Sequence, residues 1–115
     1  MSFSYLLVNK EPYLTYSLYG DLIDRNQAQE FLDNINANID GGTNKVIIEL
    51  TELRYMNSTG LNVLINTLTK ARKAGGDLVI CGVTKKVQEL LVITKLSSVF
   101  TVTETVEEAV SKFNS

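Results

Sequence analysis

Residues 46–61 read VIIELTELRYMNSTGL, and they carry the clearest indication of the fold. Its first part, residues 46–50, is a mostly β-branched apolar run with little alternation, which predicts a strand buried on both faces. An apolar stripe at helical spacing begins at Leu61. A strand that leads through a short loop into a helix is the repeating unit of parallel α/β sheets, so the stretch predicts an α/β fold.

The loop between that strand and that helix carries two hydroxyl groups, on Ser58 and Thr59. The order of elements places both at a helix N-terminus, beside the sheet edge where ligands and partners of α/β proteins tend to bind. A helix N-terminus offers unpaired N–H groups and the positive end of a dipole, which stabilise a phosphate. Ser58 is therefore a candidate phosphorylation site, and Thr59 is a secondary one. The alternative is that these hydroxyls only cap the helix or satisfy the loop backbone.

The rest of the chain alternates strands with amphipathic helices. Each predicted helix has one apolar face, so each should cover a sheet. We expect a single domain over residues 1–115, with a mixed, mostly parallel central sheet of about five strands and four helices, and with the first strand as an antiparallel edge. The expected strands are residues 3–8, 13–19, 45–50, 77–81 and 99–102, and the expected helices are residues 25–39, 58–74, a short helix after Thr84 and a last helix after Thr105.

Local signals place the ends of several elements. Gly20 and Asp21 should end the second strand. Asp24, followed three residues later by Gln27, resembles a capping box for the first helix. Thr105 with Glu108 resembles another for the last helix.

Composition excludes several classes of function. Eleven basic against thirteen acidic residues argue against a nucleic-acid binder, and no apolar stretch is long enough to span a membrane. The N-terminus shows no secretory signal. The chain has no histidine, which removes histidine-based catalysis and most transition-metal sites, so we expect no cofactor, no metal and no enzyme activity. The lone Cys81 follows an apolar run, which favours a buried residue over a reactive thiol.

Several motifs together resemble the STAS domain, a family named for sulfate transporters and anti-sigma factor antagonists. They are YGDLID at residues 19–24, the apolar approach at residues 46–56, NSTGL at residues 57–61, ARKAGG at residues 71–76 with the strand that follows, and LSSVF at residues 96–100. No single motif is specific, but the ordered set at this spacing is.

The resemblance implies an anti-sigma factor antagonist that works in the cytoplasm as a protein-binding switch. In bacterial members of the family, the serine of the NSTGL-like signature is phosphorylated by an anti-sigma factor that is also a serine kinase. By resemblance, Ser58 is the phosphate acceptor here. The dephosphorylated form would bind the anti-sigma factor, phosphorylation would end that binding, and a PP2C-type phosphatase would reset the switch.

We expect the partner to bind the loop and the start of the second helix, together with the end of the second strand. These positions are Tyr55, Met56, Asn57, Ser58, Thr59, Gly60, Leu61, Asn62, Gly20, Asp21 and Asp24. Gly60 should allow close packing or close approach of a partner. Asp21 and Asp24 offer too few oxygen ligands for a metal site. Tyr55 is the one tyrosine that lies beside the Ser58 loop, whereas the others suit cross-strand packing.

Two residues depart from the family pattern. Asn57 stands where aspartate is usual, so it keeps the capping oxygen but loses a negative charge beside Ser58. Lys95 stands where many members have glycine, and a left-handed backbone there would be strained. Asn57 keeps two alternatives open: a docking subunit of a larger complex, for example in lipid transport, that is not phosphorylated, or a module that senses a small ligand.

Overall fold

A computed structural model describes residues 3–114 of the chain. Within them lie six strands and four helices. The strands are β1 (Phe3–Asn9), β2 (Leu14–Leu22), β3 (Lys45–Glu49), β4 (Leu53–Met56), β5 (Asp77–Cys81) and β6 (Thr101–Thr103). The helices are α1 (Gln29–Asp40), α2 (Ser58–Lys73), α3 (Lys85–Ile93) and α4 (Val106–Asn114).

The sheet is mixed and mostly parallel, as predicted. Five strands lie side by side in the order β1-β2-β3-β5-β6. The sixth, β4, is outside this order and pairs with β2. β1 runs antiparallel to β2, whereas the other pairs are parallel. Because β3 pairs with the first half of β2 and β4 with its end, β4 takes over the position next to β2 where β3 stops.

Two apolar layers enclose the sheet. α1, α2 and α3 cover one face, where the main core includes Tyr16, Phe31, Ile48 and Leu64. α4 covers part of the other face, and its Ala109 packs against Ile47, Val79 and Cys81. The alternation of apolar and polar residues along β2 predicts a half-buried strand, and this is wrong: residues 14–18 are all buried, with Thr15 and Ser17 only 4% and 6% exposed, so β2 is covered on both faces.

Three expectations about the elements were wrong. The short strand β4 was not expected. Gly20 and Asp21 do not end β2: Gly20 takes a positive φ of 84° at an irregularity in the register, and the strand continues to Leu22. Asp24 and Gln27 do not cap α1, because Asp24 accepts from the N–H of Asn26, Gln27 accepts from the N–H of Ile23, and the helix begins only at Gln29.

The ends of the later helices agree better with the sequence. Thr84 caps α3, and the N–H of Glu108 donates to Thr105 Oγ1 at 3.1 Å. Lys95 ends α3 in a left-handed conformation, with φ of 63°, so the strained position is present. Among residues 3–114, no helix is long and apolar enough to cross a membrane.

Candidate functional site

The candidate site forms where β2 and β4 end side by side. Asp21 pairs with Tyr55, and Leu22 pairs with Met56. Immediately after Met56, the chain passes through Asn57 and enters α2 at Ser58. The short strand β4 therefore carries the chain along β2 up to the start of α2, which places the loop after β2 beside that helix N-terminus.

Asn57 is the N-cap of α2. Its backbone is extended, with φ of −107° and ψ of −172°, and its Oδ1 accepts from the N–H of Gly60 at 2.9 Å. This confirms that asparagine keeps the capping function at this position. Its Nδ2 also donates to the carbonyl oxygen of Ile23 at 3.3 Å, which links the helix end to the loop after β2.

Gly60 allows α2 to lie directly against β2. A methyl group on its Cα would overlap the carbonyl oxygen of Leu22 and lie 2.8 Å from Met56 Cγ. Only a residue without Cβ fits this approach. Gly60 is thus explained by packing within the chain, which is one of the two roles that the sequence suggested.

Ser58 and Thr59 are exposed in the first turn of α2. Neither hydroxyl makes a hydrogen bond within the described part of the chain, because Asn57 supplies the capping oxygen instead. The first turn contains no acidic residue, so no carboxylate of the helix itself offsets the positive end of its dipole. Both hydroxyls are therefore accessible to a partner and lie where a phosphate is stabilised.

Asp21 is held inside the protein instead of facing a partner. The residue is 7% exposed, and Arg54 donates two hydrogen bonds to its carboxylate. Nε of Arg54 lies 3.1 Å from Oδ1, and Nη2 lies 3.2 Å from Oδ2. The hydrogen bond and the charge of Asp21 raise the pKa of Arg54. Sequence reasoning missed Arg54, because nothing in the local pattern of a four-residue strand shows which way its arginine points.

The predicted surface divides into an outer and an inner set. Exposed positions are Asp24, Tyr55, Ser58, Thr59 and Asn62, and Tyr55 is 46% exposed. Buried positions are Asp21, Met56, Gly60 and Leu61, which shape the site from beneath. Ile23, which the sequence did not single out, is 37% exposed in the loop beside Asn57.

Two other candidate groups have structural roles. Tyr5 and Tyr16 pack with Phe31 in an aromatic cluster, and Tyr13 stacks on Phe113. Cys81 is buried, and its burial, with a smaller contribution from Glu49, raises its pKa to about 12. A thiol with such a pKa stays protonated and unreactive at neutral pH. Among the described residues, no cluster of three or more acidic or cysteine side chains could hold a metal ion.

This fold and this site define a known class of domain. The sequence model of the STAS domain family matches residues 6–109 of this chain, and the chain belongs to that family. It is similar to an anti-sigma factor antagonist named BtrV from Bordetella bronchiseptica, with 28% identity over 92 residues that cover 80% of this chain and 79% of the relative.

Solved structures show the same fold. The anti-sigma factor antagonist SpoIIAA in its unphosphorylated form superposes with a TM-score of 0.79 at 19% identity, over 98% of this chain and 96% of that one. SpoIIAA of Bacillus in its phosphorylated form gives a TM-score of 0.72 at 18% identity, over 96% of this chain and 98% of that one. At these identities the two structures show the shared fold.

Proposed function

We propose that the protein is an anti-sigma factor antagonist that is switched by phosphorylation of Ser58. In this proposal, the unmodified chain binds an anti-sigma factor that is also a serine kinase, and transfer of phosphate to Ser58 ends the binding. A PP2C-type phosphatase restores the unmodified form, and the chain performs no catalysis of its own. The switch operates in the cytoplasm.

The observation that carries the proposal is the position of Ser58. Its hydroxyl is exposed and makes no hydrogen bond within residues 3–114. Ser58 is the first residue of α2, whose capping oxygen comes from Asn57. The relative named as an anti-sigma factor antagonist and the phosphorylated SpoIIAA structure of the same fold support this role.

The physical effect of the phosphate is local. It adds a charge of about −1.5 to −2 at neutral pH. At an exposed helix N-terminus that charge is stabilised, so the domain stays folded. The docking surface around Ser58 changes instead, through repulsion of acidic partner groups and loss of apolar contact. We therefore expect a switch that acts without rearranging the sheet.

The intact mass of the protein from its native cells tests the proposal. The wild type should show a fraction heavier by one phosphate, and the Ser58→Ala variant should lack it. A Thr59→Ala variant controls for the neighbouring hydroxyl and should keep the heavier fraction. A wild type that stays unmodified under all growth conditions would contradict the proposal and favour a docking subunit that is not phosphorylated, for which the neutral Asn57 would be the reason.

A further inference from the structure

The side-chain amide of Asn57 does more than a helix cap requires. A cap needs one acceptor, which Oδ1 supplies to the N–H of Gly60. The Nδ2 group is surplus to capping, yet it donates to the carbonyl oxygen of Ile23 at 3.3 Å. The two contacts fix the orientation of the amide, because a flipped amide would set donor against donor and acceptor against acceptor.

The segment that Asn57 holds has few other attachments. The β2–α1 loop (residues 23–28) is exposed from Ile23 to Asn26, and its first fully buried side chain is that of Ala28. The N–H of Ile23 donates to Gln27 Oε1 at 3.2 Å, and the N–H of Asn26 donates to Asp24 Oδ1 at 2.7 Å, both within the loop itself. The bond from Asn57 is thus what joins the exposed part of the loop to α2.

We propose that Asn57 is a positioning residue that fastens the β2–α1 loop beside Ser58, so that a protein partner recognises the loop and the acceptor hydroxyl as one surface. This inference rests on the proposed function, and it makes the amide nitrogen a determinant of recognition. The partner would contact the exposed side chain of Ile23 at the same time as it binds Ser58. A carboxylate at position 57 would keep the cap but would repel the carbonyl of Ile23.

Two variants separate the capping of α2 by Asn57 from its hydrogen bond to the β2–α1 loop. Asn57→Asp and Asn57→Ser each keep an oxygen that can cap α2, and each lacks the amide donor to Ile23. The serine variant adds no charge, so it controls for the electrostatic effect of the aspartate variant. Asn66→Asp adds the same charge at an exposed position farther along α2 and serves as the matched charge control.

The first measurement is amide hydrogen exchange of the purified full chain. In both Asn57 variants, the amides of Ile23 and Asn26, which donate hydrogen bonds within the loop, should exchange about five-fold faster, the factor for one lost hydrogen bond, while α2 keeps its protection. The Asn66→Asp variant should exchange like the wild type. Unchanged exchange of the Ile23 and Asn26 amides in both Asn57 variants would overturn the fastening.

The second measurement is the rate at which Ser58 gains phosphate in the native cells. The inference predicts about five-fold slower phosphorylation in Asn57→Ser, which loses the amide donor and adds no charge, and an unchanged rate in Asn66→Asp. A wild-type rate in Asn57→Ser, with its loop loosened, would overturn the role in recognition while leaving the phosphorylation switch intact. A wild type that is never phosphorylated would overturn the switch and, with it, the role of Asn57 in recognition.

Discussion

Replacement of Gly60 by alanine tests the close approach of α2 to β2. The added methyl group would overlap the carbonyl oxygen of Leu22, which belongs to the backbone of a buried strand and cannot rotate away. The side chain of Met56, 2.8 Å from the same methyl, can adjust, so the carbonyl decides the outcome. Relief requires α2 to move away from β2, which strains the bonds of Asn57 to Gly60 and Ile23.

The expected magnitude follows from two opposing effects. Overpacking of a well-filled site costs up to about 3 kcal/mol, and the better helix propensity of alanine returns about 1 kcal/mol. Gly60→Ala should therefore lower the free energy of unfolding by about 2 kcal/mol. The melting temperature of a domain of this size should fall by about 8 °C.

Urea unfolding followed by circular dichroism measures the effect, with Gly41→Ala as the matched control. A methyl group on Gly41 would lie 3.4 Å from the carbonyl oxygen of Ala37, which is ordinary contact, and the residue has a helical φ of −77°. The control should stay within about 0.5 kcal/mol of the wild type. A Gly60→Ala variant as stable as the control would refute the argument that close packing fixes glycine at this position.

Three further predictions concern stability. Lys95→Gly should raise the free energy of unfolding by about 1 kcal/mol in urea titrations, because Lys95 holds a φ of 63°, and an unchanged value would show that the strain is absent. Arg54→Met should lower the melting temperature more than Lys70→Met does, because the side chain of Asp21 is only 10% exposed whereas that of Asp40, the partner of Lys70, is 67% exposed. Equal shifts of the two variants would contradict this reasoning. Burial raises the pKa of Cys81 from 9.0 to about 12, so the thiol contributes stability that is fully present below pH 9 and is lost as the pH rises from 9 to 12. The wild type should therefore lose about 1 kcal/mol between pH 9 and 10 relative to Cys81→Ala, and parallel pH profiles of the two proteins would contradict the shift.

The long elements could be predicted because their patterns are complete within the sequence. The apolar stripe of α2 is long enough to show the helical period, and the uninterrupted apolar runs of β3 and β5 indicate strands that are buried on both faces. β4 could not be found in this way, since it has four residues, of which the middle two are exposed. Its existence depends on pairing with the end of β2, which is a contact between segments 33 or more residues apart in the chain.

The site shows the same division between local and distant causes. The cap by Asn57 follows from neighbours in the sequence, and the structure agrees with it. The need for glycine at position 60 does not, because it comes from the carbonyl oxygen of Leu22, which is 38 positions away. The contact of Asp21 could not be predicted from its neighbours either, because its carboxylate accepts hydrogen bonds from Arg54, a residue 33 positions away. Likewise, Asp24 and Gln27 have the spacing of a capping box, but Asp24 accepts from the amide of Asn26, Gln27 accepts from the amide of Ile23, and α1 begins later.

The proposed switch depends on the effect of a phosphate at Ser58 on partner binding. The most direct measurement is isothermal titration of the unmodified chain, and of the chain phosphorylated at Ser58, against the anti-sigma factor kinase encoded in the same genome. We predict that the unmodified chain binds and that the phosphate weakens binding at least about 30-fold, the factor for about 2 kcal/mol of lost contact and added repulsion. Equal affinity of the two forms would contradict the switch and would leave the protein as a docking subunit.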